Sequence, residues 1–371
     1  MLKKILKYTA LTAAALLVLL PASALLSRAR LQHKVAERRA IHSPRGIDTL
    51  DAVPIGGISQ WIQVRGQNVD NPILLFIHGG PGIAFIPLSG SFQDPWEQYF
   101  TVVQWDQRGA GKTFARNNRD LQRRTMNVAQ MESDSLEVAN YLRQRFHRDK
   151  IFVVGHSWGS VLGLWLAHEH PGLIYAFVGV GQMVNMQQDD QLAYRDALAQ
   201  AQQRNNPKAL HDLESIAPYP PSQFDFSKEQ TARHWEGILL GPPLGSGSFT
   251  DLRRLLTDLI STPEYSLRDD LGFVQGQAAS IEIFAPQVAK IDLTQLGSGF
   301  SAPIFFFEGR RDPYCRPALI ERYAGSISAP RKQILWFENS GHFPFFEEKD
   351  AFTRALVQQL LPLAANPAPA P

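Results

Sequence analysis

One cysteine, Cys315, stands among 371 residues, which rules out an intrachain disulfide. Cysteine usage therefore says nothing about the redox compartment. The ten histidines are scattered. The nearest pair, His168 and His170, precedes Pro171 at the end of an apolar stretch, without the further ligands a metal needs, so no metal is expected. No internal repeat is visible. Charge of one sign is lacking too, with 37 Lys and Arg against 35 Asp and Glu. That balance hides an asymmetry. Residues 1–50 carry nine of the basic and two of the acidic residues, which leaves the remainder net negative by five. An acidic body offers no electrostatic footing for nucleic acid.

Long uncharged runs are confined to the start of the chain. A basic stretch, Met1 to Lys7, precedes an apolar one, Thr9 to Leu20, and Ala22-Ser23-Ala24 has the small-residue form of a signal cleavage site. Apolar residues resume at Leu25-Leu26, so Tyr8 to Leu26 supplies about 18 nearly uncharged positions, close to a bilayer's thickness as a helix. Residues 1–30 are expected to be a signal peptide or a membrane anchor standing apart from the fold. Lysines before the run would hold that end in the cytoplasm and send the body to the periplasm or the outer side of the inner membrane. Membrane contact is expected only through this segment.

The most informative motif is Gly155-His156-Ser157-Trp158-Gly159. It lies between two apolar runs, Ile151 to Val154 and Val161 to Leu166, in the context of a strand, a sharp turn and a helix. Small residues two before and two after Ser157 let strand and helix approach closely. The turn lifts the serine hydroxyl over the helix N-terminus, where free N–H groups favour negative charge.

A serine hydroxyl needs a base to take its proton and a third group to orient that base. In this architecture they follow in the order acid, then histidine. Pro303 to Glu308 reads as a buried strand running into Gly309-Arg310-Arg311-Asp312, and Gln333 to Phe337 as another strand, with His342 on the loop beyond it. Asp312 and His342 thus sit past strand ends, where parallel sheets gather their catalytic groups. Glu308 is the rival acid, but it ends an apolar strand. Two N–H donors are needed for an oxyanion. Trp158, after the serine, supplies one, and Gly80 in the loop His78-Gly79-Gly80-Pro81-Gly82 is the choice for the other. His78 precedes the nucleophile and is read as a brace for that loop. Cys315 has no histidine partner of its own and is read as a bystander.

Together, His78 to Gly82, Trp105-Asp106-Gln107-Arg108-Gly109-Ala110-Gly111, and Gly155 to Ser160 resemble the proline iminopeptidase branch of the α/β-hydrolases. The spacing to Asp312 and His342 fits as well. The resemblance covers residues 48–180 and 300–360. It implies release of N-terminal residues from small peptides without a cofactor, and a cap whose acidic side chains grip the free amine. The Trp235-Glu236 pair matches that pattern, so Glu236 is a candidate. Glu282 is the second, although its surroundings, Ile283 to Pro286, depart from the family's polar-aromatic run. Lys112 stands where the family has serine, a departure expected to be minor.

The expected architecture is an α/β-hydrolase fold, a mostly parallel sheet flanked by helices. Its core spans 48–180 and 300–361, a helical cap spans 181–299, and a disordered Pro-Ala tail covers 364–371. In the cap, Asp189-Asp190 begins one helix reaching Arg204. A capping box at Ser227 to Gln230 introduces His234 to Leu240, and Thr250-Asp251 starts another helix to Ile260. Gly241 to Ser248 reads as a loop. The expected function is a serine hydrolase acting on small peptides. The alternatives are a carboxylesterase on small acyl esters and, more distantly, a membrane-anchored binding protein without turnover.

Overall fold

A computed structural model describes the backbone of residues 2–241 and 250–365. Most of the expected Gly241 to Ser248 loop, and residues 366–371, lie outside the described residues; Ala364 and Ala365, expected in a disordered tail, instead end the helix Lys349–Ala365. Eight strands form one sheet: β1 Ile47–Ile55, β2 Ile58–Gly66, β3 Ile73–Ile77, β4 Thr101–Asp106, β5 Ile151–His156, β6 Ile174–Val180, β7 Ile304–Gly309 and β8 Lys332–Phe337. Their spatial order is β1-β2-β4-β3-β5-β6-β7-β8. The pairs β1/β2 and β2/β4 are antiparallel, and every later pair is parallel. The sequence explains the division. Strands β3, β5 and β7 are buried at every position and, up to the last two residues of β5 and β7, apolar, as a sheet covered on both faces requires. β1 lies at an edge and is buried only at Val53 and Ile55.

Separate apolar clusters cover the two faces. One contains Leu75, Val153, Leu162 and Phe306. The other contains Phe76, Phe92, Trp96, Phe152 and Phe345. Between β6 and β7 the chain leaves the sheet and builds helices Met186–Gln203, Pro207–Ser215, Phe226–Leu239, Thr250–Ser261 and Leu267–Val288. Two helix starts differ from the sequence reading. The first begins at Met186, capped by the Asn185 side chain. The third begins at Phe226, because the Asp225 carboxylate accepts from the Ser227 and Lys228 amides at 2.9 and 3.1 Å. Asp225 takes the cap role that the Ser227 pattern had suggested.

The long helix Leu267–Val288 gave no clear sequence signal, since Gly272, Gly276 and Pro286 all weaken it. Packing accounts for the glycines. A Cβ on Gly272 would stand 2.4 Å from the Ala115 Cβ, and one on Gly276 would stand 2.6 Å from the Gly109 carbonyl oxygen. The helix therefore lies directly on the backbone of the core helix Gly111–Arg116. Lys112 is not incidental here. Its ammonium is 3.0 Å from Asp269 of the long helix, which also accepts from Arg116 at 2.6 Å.

The N-terminal segment also departs from expectation. One helix runs from Leu2 to Arg38, and from Arg28 onward it is tied to the body. Arg28 pairs with Asp270 and donates to the Tyr265 carbonyl at 3.0 Å. Gln32 donates to the Thr262 carbonyl at 2.8 Å, and Arg39 pairs with Asp94 at 3.0 Å. The boundary at residue 30 thus falls inside a docked helix. Among the described residues no helix is long and apolar enough to cross a membrane. The side chains of residues 1–18, which hold most of the apolar run, lie outside the described residues.

Candidate active site

Ser157 sits at φ +52°, a left-handed conformation that is costly for any residue but glycine. The turn is forced by the approach of its flanks. A Cβ on Gly155 would stand 2.4 Å from the Gly159 carbonyl oxygen, and one on Gly159 would stand 2.0 Å from the Ile77 carbonyl oxygen. Neither position admits a side chain. Helix Trp158–Glu169 begins with the residue after the serine, so the Trp158 amide is among the free donors at its N-terminus.

The two expected partners come together. His342 Nδ1 lies 2.7 Å from Asp312 Oδ2. The other oxygen, Asp312 Oδ1, accepts from the Tyr314 and Cys315 amides at 2.8 and 3.0 Å, so the carboxylate is fixed from both sides. Gly181, at φ +54°, ends β6 against this pair; a Cβ there would stand 2.8 Å from the imidazole. Glu308 faces another way. Its carboxyl receives the Gln182 amide at 3.2 Å and shapes the turn after β6. Burial and the nearby Asp312 push its pKa well up. The His342 loop is held by groups that sequence reasoning passed over. Glu347 accepts from the Gly341 amide at 2.9 Å, and Glu348 accepts from the Ser340 hydroxyl at 2.7 Å.

The loop His78 to Gly82 packs against the elbow, where a Cβ on Gly79 would stand 3.0 Å from that of Ser157. Gly80 has φ +118°. His78 braces the loop, with Nδ1 2.9 Å from the Gly79 carbonyl oxygen. Burial lowers its pKa to about 4, so the ring is neutral. Gln107 joins the parts: its amide nitrogen donates to the His78 carbonyl at 2.9 Å, and its oxygen accepts from the Trp158 indole at 3.1 Å. Next to it, Arg108 is fully buried on Asp134, with bonds of 2.9 and 3.1 Å.

Ser157 and His342 open into a cavity of about 470 Å³. Most of its wall is apolar, including Met183, Ile281, Val288 and Phe343. The polar wall comes from the cap. Asp190, Glu229 and Arg233 line it. Arg233 bonds Glu229 at 2.8 Å and Glu236 at 2.9 Å, and it pairs with Asp190. Glu236 is buried behind this arginine, with its Oε1 lacking a partner. Glu282 is elsewhere, exposed and 2.9 Å from Arg123, because its position on the long helix faces outward beside Ile281. Asp190 and Glu229 were missed as site residues. The doubled acid Asp189-Asp190 was the available signal, but sequence alone read it as a helix start. Burial raises Asp190 to about 6, against the pull of Arg233.

Asp312, Cys315 and His342 offer three potential metal-ligand atoms within 4.8 Å, the one such group among the described residues. Asp312 is already committed to hydrogen bonds. Burial and the neighbouring carboxylates push the Cys315 thiol well up, so it is not a thiolate.

An elbow serine, a paired acid and histidine, and a capped cavity on this sheet define a hydrolase of the α/β-hydrolase class. Residues 72–349 match the family model for the alpha/beta hydrolase fold, and the chain belongs to that family. It is 29% identical over 320 residues to a probable aminopeptidase of Bacillus subtilis, covering 85% of this chain and 97% of that protein. The crystal structure of a proline iminopeptidase-related protein from Thermus thermophilus matches with a TM-score of 0.60 at 20% identity, over 85% of this chain and 99% of that one. A thermophilic esterase from Thermogutta terrifontis matches at 0.53 and 18%, over 86% and 98%.

The β4 end carries one more titratable group. Asp106 accepts from Tyr265 and from the Lys112 amide at 2.8 Å. Burial nevertheless pushes it up from 3.8 to about 7, and its Oδ1 has no partner. A carboxyl with a raised pKa contributes stability that is full below its unfolded value and is lost as pH rises through the folded one. Replacing Asp106 by Asn should therefore flatten that loss. The melting temperature of wild type minus that of Asp106→Asn should fall as pH rises from 3.8 to about 7. A difference independent of pH across that window would show that Asp106 keeps an ordinary pKa.

Proposed function

We propose that this protein is a serine hydrolase working through an acyl-enzyme. Ser157 attacks the substrate carbonyl. His342 takes the serine proton and passes it to the leaving group, and Asp312 holds the imidazole in the required tautomer and balances its charge. The amides of Gly80 and Trp158 stabilise the oxyanion. Water then releases the acyl group by the same route. The observation that carries this reading is the 2.7 Å contact of His342 Nδ1 with Asp312 Oδ2, in a cavity shared with a serine held at positive φ. Asp312→Asn should lower kcat by roughly ten-thousand-fold with the fold intact, because the amide favours the wrong tautomer. Glu308→Gln should cost far less. The reverse ranking would make Glu308 the acid.

The preferred substrate is a small peptide with a free N-terminal amine. Three carboxylates, Asp190, Glu229 and Glu236, surround a single guanidinium at the cap wall, so an ammonium group would meet surplus negative charge. In this version of the amine site, Glu236 acts by positioning Arg233, and Glu282 has no part. The apolar remainder of the cavity supports the second reading, a carboxylesterase. The measurement is kcat/KM on matched free-amine and N-acetyl substrates. The aminopeptidase reading expects the free amine to be preferred, and Glu229→Gln to shrink that preference mainly through KM. Equal rates in the wild type would leave the esterase.

The apolar N-terminal run and its flanking lysines support export. Fractionation should find the protein with membranes or periplasm, and the native N-terminus, Leu25 or Met1, separates cleavage from retention. Full-length chain soluble in the cytosol would overturn this.

A further inference from the structure

The long cap helix carries an apolar stripe on its outer face. Leu267, Leu271, Val274, Ala278 and Ile281 recur at steps of four, three, four and three, which places them on one side of a helix. All five are exposed, with Leu267, Leu271 and Val274 at 57%, 53% and 58%. The opposite face, including Phe273 and Phe284, is buried on the core. The neighbouring cap helix adds Leu256 and Ile260, also exposed. A contiguous apolar surface of this kind marks a site of interaction.

The N-terminal helix meets this surface. Arg28 pairs with Asp270, flanked on the long helix by Leu267, Leu271 and Val274. One turn earlier, Leu25 and Leu26 are exposed, as are Leu19 and Leu20. At 100° per residue these four leucines spread over about 220° of their helix, and the sector they leave free is the one from which Arg28 meets the body. A single packed partner covers one side of a helix, and a spread this wide suits lipid, which solvates every side left exposed. The far end of the stripe is equally telling. Ile281 is also a wall residue of the cavity that holds Ser157, so the stripe runs up to the edge of that cavity.

We propose that the outer face of the cap, with Leu267, Leu271 and Val274 at its centre, rests on a lipid bilayer surface beside the N-terminal helix, with the cavity mouth opening at that surface. The ion pair of Arg28 with Asp270 would fix the helix and the cap face in one orientation, and the two side chains are largely hidden from solvent. The proposal concerns where the cap sits, and holds for either acyl substrate.

Because Cys315 is buried and is the sole cysteine, a surface cysteine can be labelled selectively. Full-length Leu271→Cys, carrying an environment-sensitive fluorophore, would be bound to phosphatidylcholine vesicles that contain a spin-labelled phosphatidylcholine. The same label at Gln144→Cys, an exposed position on a core helix, serves as the reference. Activity on a short soluble substrate verifies that both variants are folded. The expected result is strong quenching at position 271 and little at 144, since quenching by the lipid-borne label requires contact with lipid. Lack of quenching at 271 overturns the proposal. That outcome covers a protein that stays in solution, one held to vesicles by its N-terminal helix alone, and one whose cap face is covered by a second copy.

Discussion

Close approach of two backbones at Gly155 and Gly159 is the constraint on which the site depends. With no Cβ at either position, β5 can turn directly into the next helix, and the residue between is driven to φ +52°. The strained conformation has a steric cause and a chemical consequence. It raises the Ser157 hydroxyl clear of the sheet, and it leaves the amide of Trp158 at a helix start, unused by the helix itself. Everything else at the site is arranged around that fixed point. The loop after β3 can reach it because Gly79 has no side chain, and the turn after β6 can back the His342 and Asp312 pair because Gly181 has none.

The end of β4 converts this local geometry into a rigid unit. Successive residues there do different jobs. Asp106 binds Tyr265 of the cap, Gln107 ties the His78 loop to the Trp158 indole, and Arg108 closes on Asp134 and on the Gly56 carbonyl. Ion pairs as buried as Arg108 with Asp134 add little net stability by themselves, but removing one partner typically costs about 3–5 kcal/mol. The value of such a pair lies in excluding other arrangements. The cap is drawn into the same unit, since Lys112 and Arg116 share Asp269. Burial opposes the charge on Asp269, but bonds from Arg116, Ser266 and Lys112 outweigh it and hold its pKa well below the usual range.

What the sequence made legible follows from how local each signal is. The elbow, the His78 loop, and the strand-end positions of Asp312 and His342 are encoded within a few residues each, so the sheet and the pairing of acid with histidine could be anticipated. Helix Leu267–Val288 could not, because its glycines look like breakers until the core backbone they pack on is in place. Lys112 looked like a minor departure from the family because its partner is 157 positions away. Glu282 failed as a cavity residue by about 100° of helix rotation, the angle between it and Ile281. Asp190 became a site residue only when its helix met the one that carries Glu229, Arg233 and Glu236. Long-range convergence of this kind leaves no pattern in a single sequence.

The convergence also bears on the chemistry of the cavity. Enclosing three carboxylates around one guanidinium is unfavourable unless the surplus negative charge is neutralised. Without a ligand, a proton can do this, which is why burial lifts Asp190 to about 6 while Arg233 pulls the other way. A cationic group in the cavity would serve the same purpose, so proton and cation compete for one electrostatic deficit. An uncharged ester would relieve none of it and would draw its binding from the apolar wall of Met183, Ile281 and Val288. The two parts of the wall therefore ask for different substrate features. A peptide with a free amine beside an apolar side chain satisfies both at once, whereas an N-acylated peptide or an ester satisfies one.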